Sequence, residues 1–158
     1  MDGLAPYRAR IEPEWIDYNG HLRDAYYGVV FSHAIDDFME QIGLDAAYRE
    51  STRCTLYTLE THFHYLHEVK SSDTLTVRSL VLDSDRKRIL AAGLFTCDRI
   101  VGPVAAAEAV LLHVRQGERP ASAPFPAAVE TRLAALNAEA APEFPRSRKL
   151  ELPRRPGA

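Results

Sequence analysis

The feature that most constrains this chain is a change of hydrophobic period. Over residues 24–43, Tyr27, Val30, Phe31, Ala34, Phe38 and Ile42 recur at intervals of three and four, the stripe of a helix buried on one side. Gly43 suits the position just past its C-terminus, where a left-handed backbone is common. Alternation then takes over. Tyr57, Leu59, Phe63 and Tyr65 interleave with Thr58, Glu60, His62 and His64, which predicts a strand with one buried face. Segments 75–82, 88–97 and 104–114 add three further strands, and 7–11, stopped by Pro13, gives a short first one. The connections 69–73, 83–87 and 98–103 are short and polar or carry Gly-Pro, so an antiparallel meander is expected. Pro120, Pro124 and Pro126 lead the chain out of the sheet before Val129, Leu133 and Leu136 mark a second, shorter helix. The class is α+β, with an antiparallel sheet of about five strands and one long helix laid across a face.

These 158 residues suffice for one domain, placed at 1–141. Residues 142–158 are mainly Pro, Arg and Glu, and a segment so poor in apolar surface is expected to be flexible, either mobile or lying on a neighbouring subunit. A net charge of -3 supplies no broad cationic field, which argues against a nucleic-acid partner. The N-terminus has neither the basic leader nor the apolar core of a secretory signal, and no apolar run spans a membrane. Cys54 and Cys97 offer no disulfide framework and no paired metal-ligand spacing, and read as thiols inside strands. A reducing, cytoplasmic setting fits these features, with no membrane partner.

The chemistry concentrates between the first strand and the long helix, in Trp15-Ile16-Asp17-Tyr18-Asn19-Gly20-His21-Leu22-Arg23-Asp24-Ala25-Tyr26-Tyr27. Gly20 permits a backbone conformation or close approach that a side chain would block, and Asn19 tolerates a left-handed one. Asp17 is thereby held near a helix mouth, whose first amides lack intrahelical acceptors and lie at the positive end of the helix dipole. Such amides can bind the oxyanion formed when a carbonyl is attacked, while the carboxylate acts as nucleophile or general base. A thioester suits this arrangement, because its thiolate leaving group, with a reference pKa of about 8.5, needs little acid assistance. The same pattern also fits an ordinary turn closed by Asp17 and Asn19, with His21 filling a gap beneath the helix.

Asp17-Tyr18-Asn19-Gly20-His21-Leu22 followed by Asp24-Ala25-Tyr26-Tyr27 resembles the signature of hot dog thioesterases related to 4-hydroxybenzoyl-CoA thioesterase, and the element order over roughly residues 5 to 115 is similar too. The resemblance implies a single hot dog domain without a cofactor or metal and an acyl-CoA substrate. It also implies a homodimer or tetramer with active sites between subunits, in which Asp17 is the catalytic carboxylate and amides near 22–24 polarise the carbonyl. A narrower similarity is to betainyl-CoA thioesterases of carnitine breakdown, through the turn, Leu56-Tyr57-Thr58-Leu59-Glu60 with Tyr65-Leu66-His67-Glu68-Val69, and Leu111-Leu112-His113-Val114. Arg23 departs from the asparagine usual in related turns. Catalytic candidates are Asp17, Asn19, Gly20 and His21. Substrate-binding candidates are Trp15, Leu22, Arg23, Asp24, Tyr26, Tyr27, Tyr57 and Glu60, the aromatic faces and Glu60 being suited to a trimethylammonium head that cannot donate hydrogen bonds. Alternatives are a broader thioesterase for medium-chain or aromatic acyl-CoA and a non-catalytic acyl-CoA-binding protein.

His62-x-His64 places two imidazoles on one strand face, a possible metal pair, yet no third ligand is evident and His67 points oppositely. Solvated or interfacial histidines are the plainer reading.

Overall fold

The computed structural model describes residues 3–138 and 151–152. Strand β1 (Tyr7–Arg10) leads through a 3-10 turn at Pro13–Trp15 to helix α1 (Asp24–Ile42) and a short helix α2 (Ala46–Thr52). Strands β2 (Cys54–Tyr65), β3 (Thr74–Ser84), β4 (Arg88–Cys97) and β5 (Pro103–Arg115) follow, then a two-residue strand β6 (Ala121–Ser122) and helix α3 (Ala127–Ala138). The sheet is antiparallel in the order β1-β3-β4-β5-β2, with β6 pairing beside β5.

Helix α1 buries the predicted stripe: Tyr27, Val30, Phe31, Ala34, Phe38 and Ile42, joined by Met39. It ends at Gly43, whose φ of 91° lies in the left-handed region. Facing it, β4 presents Ile89, Ala91 and Phe95 and β5 presents Ala105, Ala107, Ala109 and Leu111. The small residues let the sheet curl closely around the helix. Gly93 marks the tightest approach, since a Cβ there would stand 2.7 Å from the Phe31 ring and 3.1 Å from Val77. Val129, Leu133 and Leu136 of α3 close the same core.

Three expectations are corrected. Strand β2 does not pair with β3 as a meander requires; it lies on the opposite sheet edge, against β5, and the connection 66–73 crosses the end of the sheet. Loop length alone had suggested neighbours, but eight residues reach about 26 Å when extended, enough to cross two strands. Second, β2 does not keep one apolar face. A bulge leaves Leu59 unpaired between Thr58 and Glu60, so the strand changes parity there. Leu56 and Phe63 pack on the core, whereas Tyr57, Leu59 and Tyr65 are exposed. Third, α2 was not foreseen, because its seven residues bury no side chain and leave no stripe. Its signal was the cap: Asp45 Oδ1 accepts a hydrogen bond from Tyr48 N at 2.8 Å. His113 ties this helix to β5, with Nε2 3.0 Å from the Tyr48 hydroxyl and Nδ1 2.9 Å from the Ala123 carbonyl.

Cys54 and Cys97 are buried free thiols. No helix among the described residues is long and apolar enough to cross a membrane. The expected tail 142–158 lies outside the described residues except for Glu151 and Leu152; Leu152 is buried on the outer sheet face with Leu90 and Val110.

Candidate active site

The Asp17 turn is built by its own backbone and anchored by the crossover. Asp17 N donates to the His21 carbonyl at 2.8 Å, Gly20 N donates to the Asp17 carbonyl at 3.0 Å, and Ile16 bridges Leu22. Gly20, at φ 79°, occupies the left-handed region that the reversal needs, with open space around it. The crossover then supplies the long-range support: Leu22 N donates to the Val69 carbonyl at 2.7 Å and His21 bridges Lys70.

The crossover is itself fixed by an ion pair whose acid is buried. The Arg99 guanidinium, in the β4–β5 turn, donates to both Asp73 oxygens at 2.8 to 3.2 Å and to the Glu68 carbonyl at 2.9 Å. The Asp73 side chain is 3% exposed and also accepts from Lys70 N. Its carboxyl is held below the ordinary carboxylate value, chiefly by the Arg99 hydrogen bonds and despite burial.

Asp17 is half-buried, and its two oxygens differ. Oδ1 accepts from Asn19 N at 2.8 Å and His21 N at 3.2 Å, as an Asx turn does. Oδ2 has no hydrogen-bond partner among the described residues. The His21 and Asn19 amides, with the nearby charges of His21 and Arg23, hold this carboxyl below its usual range against the opposing effect of desolvation. His21 Nε2 lies 3.1 Å from Glu68 Oε2 on the crossover, a carboxylate that sequence reasoning had not placed here.

The amides of 22–24 are not equivalent. Leu22 N is bonded to Val69, and Arg23 N donates to the Trp15 carbonyl at 2.9 Å. Ala25 N is capped by the Asp24 side chain at 2.9 Å and Tyr26 N donates to the Arg23 carbonyl. Asp24 N, at the first position of α1, has no acceptor among the described residues.

Around this mouth, Trp15 stacks on Tyr26 with centroids 5.2 Å apart and planes 13° apart. Tyr65 Oη approaches the Asp24 carbonyl at 3.4 Å, and this link too was missed in the sequence. Leu22 and Tyr27 are core residues: burial drives the Tyr27 hydroxyl pKa up to about 12, and its ring meets Tyr65 and Phe95 edge-on. Tyr57 and Glu60 lie further along β2, so within one chain they are not brought to Asp17; eight strand residues from Tyr65 to Tyr57 span about 26 Å. A separate cleft of about 530 Å³ opens between α1 and β2, one helical turn beyond Asp24, lined by Gly28, Phe31, Ser32, Asp36, Thr58 and Phe63 among others.

A family model, the Thioesterase-like superfamily, matches residues 11–133. A betainyl-CoA thioesterase of Pseudomonas aeruginosa is 44% identical over 133 residues, covering 84% of this chain and 83% of that protein. An L-carnitine dehydrogenase/betainyl-CoA thioesterase of Agrobacterium fabrum is 39% identical over 112 residues, covering 70% of this chain and 22% of the larger protein. Among solved structures, that of a Staphylococcus aureus protein in complex with CoA superposes with a TM-score of 0.81 at 28% identity, covering 94% of both chains. With one long helix held in a curled antiparallel sheet and a family match spanning most of its length, this chain belongs to the thioesterase-like superfamily and is a hydrolase built on the hot dog fold.

Proposed function

We propose that the protein hydrolyses a short acyl-CoA thioester, betainyl-CoA being the substrate its sequence relatives favour, and that Asp17 is the carboxylate that attacks the carbonyl or activates water. The observation that carries this reading is the asymmetry of Asp17: Oδ1 is fixed by two backbone amides while Oδ2 accepts from none of the described residues. A carboxylate held ionised, seven residues before an Asp24 amide that has no acceptor among the described residues, supplies a base or nucleophile and an oxyanion donor from one short segment. Attack at the carbonyl carbon moves the electron pair onto oxygen, where that amide meets it. Collapse expels the CoA thiolate; water then supplies the oxygen of the acid directly where Asp17 acts as base, or hydrolyses the Asp17–acyl anhydride where Asp17 attacks. No metal or cofactor is required for these steps.

His21, oriented by Glu68 at 3.1 Å, keeps the turn in register beside Asp17. Arg23, in place of the asparagine usual in related turns, places a cation near the same carboxylate. The stacked Trp15 and Tyr26 rings next to the turn offer a face to a trimethylammonium group, which favours betainyl over uncharged acyl groups. The protein acts as a homodimer or a tetramer. The sheet ends on β2, a twelve-residue edge strand with Tyr57, Leu59 and Tyr65 exposed, and a partner's strand would cover it. Such a partner would also bring further side chains over the α1–β2 cleft.

The test is thiol release from a panel of acyl-CoAs. Betainyl-CoA is expected to turn over faster than butyryl-CoA; equal rates sink the narrow assignment and leave the broader thioesterase. Single-turnover hydrolysis in labelled water puts label into Asp17 only if the carboxylate itself attacks.

A further inference from the structure

On the sheet face turned away from α1, β2 and β5 bring together three side chains that ligate metals. His62 stands directly across the ladder from Glu108, and His64, next on the same side of β2, stands across from Ala106. Their donor atoms all lie within 4.8 Å of one another, and the two imidazole centroids are 4.9 Å apart. Glu108 is fully buried, with Ala92 beside it on β4, while both histidines are half-buried. The fold thus adds to the His-x-His pair a carboxylate from a strand that the sequence did not place next to it.

We propose that His62, His64 and Glu108 bind a divalent transition-metal ion of the zinc class, clipping the edge strand β2 to β5. Two imidazole nitrogens and one carboxylate oxygen form a donor set for zinc, nickel or cobalt, whereas calcium and magnesium favour all-oxygen shells. Three protein ligands leave a fourth position for water. In a tetrahedral site with bonds of about 2.0 to 2.1 Å the donors stand roughly 3.3 Å apart, so side-chain rotation on two fixed strands closes the set. The cluster lies on the sheet face opposite α1, so the ion stiffens the edge of the sheet and takes no part in thioester hydrolysis.

The experiment uses untagged, chelator-treated, repurified protein. Cobalt is followed by the visible bands of its four-coordinate form, and zinc by equilibrium dialysis. One ion per chain is expected, with zinc displacing cobalt. His62→Asn, His64→Asn and Glu108→Gln should each weaken binding by at least about 100-fold, more than loss of a supporting outer contact does. Zinc should raise the melting temperature of the parent protein and not that of the variants. Asp17→Asn should bind the ion as the parent does. Failure to bind either ion at micromolar concentration overturns the proposal, as does undiminished binding in any of the three variants. If Glu108→Gln does not fold, the two histidine variants, at half-buried positions and checked by circular dichroism, decide the matter.

Discussion

The Asp17 turn and the His62–His64–Glu108 cluster use the same chemical groups, carboxylate and imidazole, yet they are assembled in opposite ways. In the turn, every hydrogen bond to the carboxylate comes from backbone amides within four residues, and a glycine in the left-handed region makes the reversal feasible. In the outer cluster the acid and the imidazoles meet because β2 and β5 are neighbours in one register. A locally closed turn holds its carboxylate in a set direction through one oxygen. A ladder-built site depends on strand pairing, and in return a bound ion would reinforce that pairing.

The widest separation between the two regions should come from Asp17→Asn. Loss of on the order of 10² or more in kcat is expected, with little change in folding or CoA binding, because the amide keeps the Asx turn but lacks the negative charge. Unchanged turnover would leave Asp17 a turn residue like any other. His62→Asn is the mirror experiment: roughly 100-fold weaker metal binding with kcat unaltered. A fall in kcat there would mean the two regions are coupled.

Three smaller effects sharpen the picture. Gly93→Ala should destabilise the fold by about 1 to 3 kcal/mol in chemical denaturation, because the added methyl meets the buried Phe31 ring that seats α1 on the sheet. Both regions should weaken together, since helix and sheet share that contact.

The pH dependence separates acid from imidazole within the turn. Asp17 is held below its ordinary value of 3.8, so it stays ionised down to that pH and the acid limb of kcat/KM should fall below 3.8. A limb near pH 6 to 7 would instead identify a histidine, with its reference pKa of about 6.5. Asp73 gives the parallel statement for stability: its carboxyl is also depressed below 3.8, so its contribution is complete above that pH and is lost as pH falls through the lowered folded-state value. Urea midpoints of the parent and Asp73→Asn should therefore converge in acid; a constant gap would show that the Arg99 pair is not the source.

The smallest effect belongs to Glu68→Gln. Its carboxylate is 71% exposed, and an exposed ion pair is worth under about 1 kcal/mol, so kcat should change by no more than about fivefold.

How much was legible follows the same division. The stripe of α1, its stop at Gly43, and the strand positions of β3, β4 and β5 could be read because each is recorded in neighbouring residues. The order of strands could not. A loop length is compatible with both a hairpin and a crossover, and the single unpaired Leu59 reverses the facing of β2 without a clear composition signal. The crossover mattered most for the site, since Glu68, Val69 and Lys70, which brace the turn, arrive through it.

By itself the sequence determined the helix, the strands and the Asp-Tyr-Asn-Gly-His turn, because periodicity, capping and backbone freedom act over a few residues. Only the tertiary structure decided which amide near the start of α1 lacks an acceptor among the described residues, that Trp15 stacks on Tyr26, and that Glu108 meets two histidines. Those outcomes depend on which distant backbone groups satisfy one another's hydrogen bonds, and strand pairing alone fixes that.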